Sequence, residues 1–309
     1  MPVHRVGALS CLLALLLCLT SPASAEQMGE KGAIDWVNGV VVGYGYGTAK
    51  QGMNQAQARI ASIRAAKVDA MRNLLETVKG VQIDSRTLVE DYIVKKDLIA
   101  AKVSGLVKGA HEVDKSTEIM EDGAPLTTVT MAVCINPGSN CYGSLVDALN
   151  LADIPDQRIP NKKFAPPAEL QPGQKPAQPN VYKPQQAEYR YDSSKPVTGV
   201  VFNLQGRPFK QEVRPVVAAK RSGDLAVVYS FKNVSPAVIR QHGVIRYAET
   251  SQQAVDTDVV GDNPLVVPVQ EVTPENVILV TQDGARKVFE TTRHGNDYLA
   301  KARAAISYR

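Results

Sequence analysis

The chain has few aromatic residues and cysteines and lacks the common sequence motifs of enzymes. Its 309 residues include one tryptophan, five phenylalanines and four cysteines. No G-x-S-x-G, H-E-x-x-H or G-x-x-x-x-G-K-[ST] pattern occurs, and the four histidines lie far apart in sequence. Beyond residue 25, no apolar run approaches the roughly 18 residues that a membrane-spanning helix needs. We therefore predict no catalytic, cofactor-binding or metal-binding residues and no transmembrane helix.

Neither positive nor negative charge is in large excess. The formal net charge is +4, and no segment carries the dense basic stripe that nucleic-acid-binding proteins present to phosphates. We expect no nucleic-acid partner.

The first 25 residues are typical of a secretory signal peptide. Arg5 gives a positive start, Ala8–Leu19 is an apolar run, and Ala23–Ala25 reads as an A-x-A cleavage site. Cys18 follows three leucines rather than the small residues that lipid attachment requires, and Cys11 lies too early in the apolar run. We expect a soluble exported protein that is periplasmic, or peripheral to the outer membrane.

Removal of this segment would leave Cys134 and Cys141 as the remaining cysteines. An even number of cysteines in an oxidising compartment favours a disulfide. The turn-forming residues between them allow the chain to reverse. Their spacing fits neither a C-x-x-C redox motif nor a zinc ribbon. We predict a structural disulfide.

The stretch from Asn54 to Gly80 predicts a long amphipathic helix. Asn54 is a suitable N-cap with Gln57 three residues later, and Gly80 suits a left-handed C-cap. The large apolar residues recur at helical spacing, which predicts that they form the buried face. They are Ile60, Ile63, Met71, Leu74 and Val78.

The strand before this helix has an unusual alternation of residue size. Tyr44 and Tyr46 share one face, so the glycines at 43, 45 and 47 share the other. A bare glycine face suggests close approach of another backbone, or of the helix that follows. A dinucleotide-binding loop is disfavoured because the glycine spacing and the distance to the helix are both wrong.

The rest of residues 26–154 completes an α+β domain. Short strands are expected between Val81 and Val94, and a second helix over Leu98–Val107 with Leu98 inward. A hairpin is expected around Glu121–Gly123. We predict an antiparallel sheet covered by the long helix.

Residues 155–196 are rich in proline and glutamine and predict a linker, because they offer little apolar surface to bury. Residues 197–309 predict a second, mixed α/β domain. Its final strand, helix and strand would permit a parallel crossover.

Two features are candidates for an interaction surface. Trp36 could anchor a partner or simply cover the sheet. Arg286, Lys287 and Arg293 lie on or just after the last predicted helix and could meet an acidic partner or lipid head groups. Cations are also favourable at a helix C-terminus for purely structural reasons.

Part of the N-terminal domain resembles a known family. The run A-x-x-x-A-x-R-N-L-L-E-x-V-x-G over Ala66–Gly80, followed by G-x-V-x-G-A over Gly105–Ala110, is similar to the twenty-kilodalton outer-membrane lipoprotein family. The domain that defines this lipoprotein family is shared by the flagellar assembly proteins FlgP and FlgT. The resemblance implies an α+β unit and a structural role at the outer membrane or around the flagellar motor.

These observations lead to one expectation about function. We expect a non-enzymatic structural or assembly protein whose partners are envelope or basal-body proteins, with self-association included. The alternative is a periplasmic module that binds a small ligand in its C-terminal domain.

Overall fold

The computed structural model describes residues 31–138, 141, 143–151, 158, 164, 191–221, 224–293 and 296–309. The predicted signal peptide and most of the predicted linker lie outside these residues, so the domain boundaries stay predictions. The first part of the chain contains, in order, β1 (Gly32–Asp35), β2 (Val40–Thr48), α1 (Gln55–Lys79), β3 (Gln82–Asp84), β4 (Thr87–Leu88), α2 (Val89–Ile93), α3 (Asp97–Lys108), β5 (His111–Ile119), β6 (Pro125–Cys134) and α4 (Leu145–Leu149).

The N-terminal sheet is antiparallel, in the order β1-β2-β6-β5, and α1 packs against β2 and β6. The predicted helix-covered antiparallel sheet is therefore confirmed. The helix begins with the predicted capping box, in which the Asn54 side chain accepts from Gln57 N–H and the Gln57 side chain accepts from Asn54 N–H. At the other end the expectation was wrong, because Gly80 has the right-handed φ of −76°.

The glycine face of β2 is the surface on which α1 rests. A Cβ atom added to Gly43 or to Gly45 would lie 2.6 Å from the Cα of Leu74 or Ala70, respectively. Real Cβ atoms essentially never approach so closely. The helix and the strand therefore meet backbone to backbone, as the missing side chains suggested.

This close contact changes which face of α1 is buried. The buried residues are mostly small and recur every four positions: Ala58, Ser62, Ala66, Ala70, Leu74 and Val78. Ile60 is 52% exposed, while Ile63 and Met71 are only partly buried. The predicted burial of Ile60 was therefore wrong, and Ile63 and Met71 lie at the margin of the buried face, because a glycine surface accepts small side chains rather than large ones. Leu74 and Val78 are buried as predicted.

Polar residues of α1 also complete the hydrogen bonding of β2. Strand β1 pairs with β2 only as far as Gly43. Beyond it, Asp69 accepts from the Tyr46 N–H at 3.1 Å, and Asn73 donates to the Tyr44 carbonyl oxygen at 2.7 Å. These side chains satisfy backbone groups that a neighbouring strand would otherwise satisfy.

Other local predictions had mixed outcomes. The hairpin around Glu121–Gly123 is present between β5 and β6. Helix α3 forms where expected, but Leu98 is 69% exposed rather than inward. Between Val81 and Val94 the two short strands are followed by α2, which was not expected.

The second part of the chain forms a mixed seven-stranded sheet in the order β10-β13-β7-β11-β12-β8-β9. Its elements are β7 (Val200–Asn203), β8 (Val217–Arg221), β9 (Asp224–Tyr229), α5 (Pro236–His242), β10 (Arg246–Ala248), α6 (Ser251–Asp256), β11 (Leu265–Val272), β12 (Ile278–Val280), α7 (Gln282–Arg293) and β13 (Ala304–Ser307). The mixed character of the predicted C-terminal fold is confirmed.

The order of strands excludes the crossover expected at the end of the chain. Strand β12 runs antiparallel to β11, whereas β11, β7 and β13 run parallel to one another. Strands β12 and β13 are therefore neither neighbours nor parallel, and α7 connects separate positions of the sheet.

Candidate functional site

Trp36, the first candidate for an interaction surface, makes an internal contact. It follows β1, and its ring packs edge-on against Tyr247 of β10 at a centroid distance of 5.6 Å. The ring is partly buried and lies against the hydrophobic core. Its contact thus joins the N-terminal sheet to the C-terminal one.

The basic residues of α7 largely interact with their own helix. Lys287 pairs with Asp283 one turn earlier at 3.1 Å, and the Arg293 guanidinium lies over the Phe289 ring at 4.7 Å. Arg286 is partly exposed on the same helix. None of the three residues lines either of the two cavities described below.

Cys134 and Cys141 form the predicted disulfide, with their Cα atoms 6.1 Å apart. A cavity of about 380 Å³ beside it is lined by His111, Ser144 and Asp147. The Ser144 hydroxyl accepts a hydrogen bond from the Asp147 N–H and caps α4. A serine nucleophile would instead need its hydroxyl bonded to a general base, so this trio lacks the required geometry.

The described ranges contain no cluster of side chains that could bind a metal ion. No group of three or more histidine, cysteine, aspartate or glutamate side chains there is close enough to hold an ion.

The most unusual chemistry in the described residues is a pair of buried ion pairs, which we call the charged seam: Asp84, Arg158, Glu212 and Arg214. Arg214 bonds to Asp84 at 2.7 Å, and Arg158 bonds to Glu212 at 2.7 Å. All four side chains are at most 6% exposed. Buried charges require partners of this kind, because leaving water is costly for an ion.

Backbone hydrogen bonds hold the seam in place. The N–H groups of Val213 and Arg214 donate to the carbonyl oxygens of Gln82 and Ile83 at 2.9 and 3.0 Å. The segment before β8 thus pairs with β3, although the two are far apart in sequence. A single cluster of buried apolar residues extends across both parts of the chain around this seam.

Two residues of the predicted linker take part in this packing. Arg158 also donates to the Arg214 carbonyl oxygen at 3.0 Å. Phe164 is buried, donates its N–H to the Val227 carbonyl oxygen at 2.8 Å, and packs edge-on against Phe289. Low apolar content over the whole segment therefore concealed two anchoring residues.

Glu212 is a buried carboxyl group of the seam. Burial raises its pKa to about 7, although Arg158 and Asn276 hydrogen-bond to its carboxylate and oppose that shift. The carboxyl thus holds its proton to a higher pH in the folded protein than in the unfolded chain.

This shift predicts a pH dependence of stability. A pKa of about 7 in the folded state lies above the ordinary 4.5, so the stabilising contribution is complete below pH 4.5 and lost as pH rises through 7. The free energy of unfolding of the wild type, minus that of Glu212→Gln, should fall across this window by at most about 3 kcal/mol. Urea unfolding from pH 4 to 8 measures it, and a constant difference would contradict the prediction.

Sequence reasoning missed the seam. Its one local sign is that Glu212 and Arg214 alternate with Val213 just before the apolar run at 215–219. Charged residues alternating with apolar ones normally indicate an exposed strand face. Nothing local shows that their partners are Asp84 and Arg158.

Exposed apolar side chains concentrate in the first part of the chain. Of the nine large exposed hydrophobic residues among those described, eight lie between positions 53 and 120, and the ninth is Tyr191. We call these eight the N-terminal apolar surface: Met53, Ile60, Val68, Val94, Leu98, Val113, Ile119 and Met120.

Strand β5 carries part of this surface at an open sheet edge. It pairs only with β6 among the described strands, and none of its nine residues is buried. The register shifts between Glu112 and Asp114, which leaves Val113 as a bulge that is 57% exposed. An edge strand presents unpaired backbone groups that can bind another chain.

Comparison with known proteins bears on the C-terminal sheet. Residues 199–307 match the family described as Treponema pallidum Tp0624, second domain. The match begins one residue before β7 and ends at the last residue of β13, so it coincides with the seven-stranded sheet. No curated protein matches the chain in sequence.

None of the helices in the described ranges combines the length and apolar character needed to cross a membrane.

Proposed function

We propose that the protein is a non-enzymatic structural or assembly protein, exported to the periplasm, that associates through its N-terminal apolar surface. The observation that carries this proposal is the concentration of exposed apolar side chains at residues 53–120. A contiguous patch of exposed apolar side chains is typical of surfaces that bind other proteins, and we propose that these residues contribute to one. The open edge of β5 adds a second means of contact.

The nature of the partner follows from the resemblance of Ala66–Gly80 and Gly105–Ala110 to outer-membrane lipoproteins and flagellar assembly proteins. Envelope or basal-body proteins are the partners proposed, together with further copies of this chain. Association with the outer membrane would be peripheral.

Two charge-introducing substitutions on β5 test the proposal. Val113→Lys with Ile119→Lys should reduce self-association, or capture of envelope proteins, by about tenfold or more. Loss of two buried apolar side chains at an interface commonly costs several kcal/mol. Light scattering coupled to size-exclusion chromatography measures the first, and pull-down from envelope fractions measures the second.

The matched control is Tyr191→Lys, since Tyr191 is the exposed apolar residue outside the surface. It should leave both readouts unchanged. A wild type that stays monomeric and recovers no envelope protein would refute the proposal. An equal loss in the control and in the β5 variant would also refute it.

A further inference from the structure

A second cavity, of about 460 Å³, opens at the edge of the C-terminal sheet where β10 and β13 begin. Arg246 is the first residue of β10, and Arg303 directly precedes β13. The strands are parallel neighbours with Arg246 opposite Ala305, which brings both arginines to the same edge. Lys301 lines the same cavity, and so does His242 at the end of α5.

The cations of this cavity have few partners in the protein. Within the described ranges, none of Arg246, Lys301 and Arg303 forms an ion pair. The Arg246 guanidinium is partly buried and donates to the Pro137 carbonyl oxygen at 2.9 Å. Its pKa is lowered by that burial. A partly buried cation with one neutral acceptor is poorly compensated, and an anion in the cavity would compensate it.

The backbone around the cavity is also under strain. Ala302 and Asp258 both line it, and both have left-handed φ values, 54° and 58°. This region is unfavourable for a residue that has a Cβ atom. Ala302 lies between Lys301 and Arg303, and all three residues line the cavity. Strained residues concentrate at binding sites, where the geometry of the ligand contacts requires them.

The other residues that line the cavity limit which ligands fit it. Asp258 also lines the cavity and forms no ion pair within the described ranges, so its carboxylate is available as an acceptor. Val238 and Val259 provide a small apolar surface. A ligand that suits this lining has an oxyanion for the three cations and a hydroxyl group for Asp258.

We propose that this cavity binds a phosphate group that carries a neighbouring hydroxyl, as glycerol phosphate does. The volume lies within the range of about 300–1,000 Å³ that is usual for small-molecule sites. Arginine and lysine are the side chains that proteins use most often to bind phosphate. The residues that line this cavity all belong to the C-terminal part of the chain, and the proposal is independent of the association proposed for the N-terminal part.

The same chemistry is available from two sources, a soluble phosphate ester and the head group of phosphatidylglycerol. Calorimetric titration of the whole chain with sn-glycerol 3-phosphate tests the first. Flotation with vesicles of phosphatidylglycerol in phosphatidylcholine, against vesicles of phosphatidylcholine alone, tests the second. Glycerol serves as the titration control without phosphate.

The double variant Lys301→Gln with Arg303→Gln should weaken binding at least about tenfold, because a hydrogen bond to a charged group contributes about 1.5–3 kcal/mol. Arg240→Gln is the matched control. Arg240 is an exposed cation on α5 between two residues that line the cavity, but it does not itself line it. It should change affinity less than about twofold.

Binding of glycerol phosphate that depends on Lys301 and Arg303 identifies a soluble ligand, and dependent binding of vesicles alone identifies a lipid. Both results support the proposal. Absence of binding in both experiments overturns it, as does an equal loss in the control. The melting temperatures of the variants show whether each protein is folded when binding is measured.

Discussion

Gly45→Ala is expected to destabilise the protein by about 3 kcal/mol or more, at the upper end of the range for overpacked cores. A Cβ at this position would lie 2.6 Å from the Cα of Ala70 and closer still to other backbone atoms of α1. Backbone atoms cannot rotate away as a side chain can, so the whole helix would have to move off the sheet. Urea unfolding followed by circular dichroism measures the change.

Gly105→Ala is the matched control. Gly105 lies within α3, and an added Cβ there would meet no atom within 4 Å. Because alanine favours the helix more than glycine does, this substitution should be neutral or stabilise by up to about 1 kcal/mol. A small effect of Gly45→Ala, similar to that of Gly105→Ala, would show that α1 does not rest on the glycines of β2.

Asp84→Ala is expected to destabilise the protein by about 3–5 kcal/mol, because it removes the carboxylate that lies 2.7 Å from the buried Arg214 guanidinium. Arg214 is fully buried, and its guanidinium lies over the Phe231 ring at 4.8 Å. Combining Asp84→Leu with Arg214→Met should recover much of the loss, since it replaces the ion pair by apolar contact. Chemical unfolding of both variants measures the difference.

An exposed pair provides the comparison. Lys220 and Glu271 bond at a similar distance, 2.9 Å, but their side chains are 64% and 50% exposed. Glu271→Ala should cost less than about 1 kcal/mol. If Asp84→Ala cost no more than Glu271→Ala, burial of the seam would not be a source of stability.

The long helix and its glycine-bearing strand were readable from the sequence because their signals are local. The capping box spans four residues, and glycine alternates at period two within β2. The buried face was misassigned because hydrophobic periodicity weighs Ile60 above Ala66. The face of β2 that contacts the helix determines which of the two residues is buried. Because that face carries glycines, it accepts alanine. The glycines of β2 therefore indicate which face of α1 is buried, whereas the hydrophobicity of the residues in α1 does not.

The charged seam and the cationic cavity could not be derived in this way. Asp84 and Arg214 are 130 residues apart in sequence. Arg246 and Arg303 meet only because β10 and β13 are parallel neighbours, a topology that the local pattern did not predict. Contacts of this kind depend on strand order, which one sequence alone specifies weakly.

The pairing of β3 with Val213 and Arg214 has a consequence for the chain when it is cut. Residues 165–190 separate the two groups of elements in sequence, whereas the contacts at Trp36, Asp84 and Pro137 join them in space. A protease that cut the chain between 165 and 190 would leave the contacts of Trp36, Asp84 and Pro137 intact. The two fragments would remain a noncovalent heterodimer, and separately produced halves would complement each other.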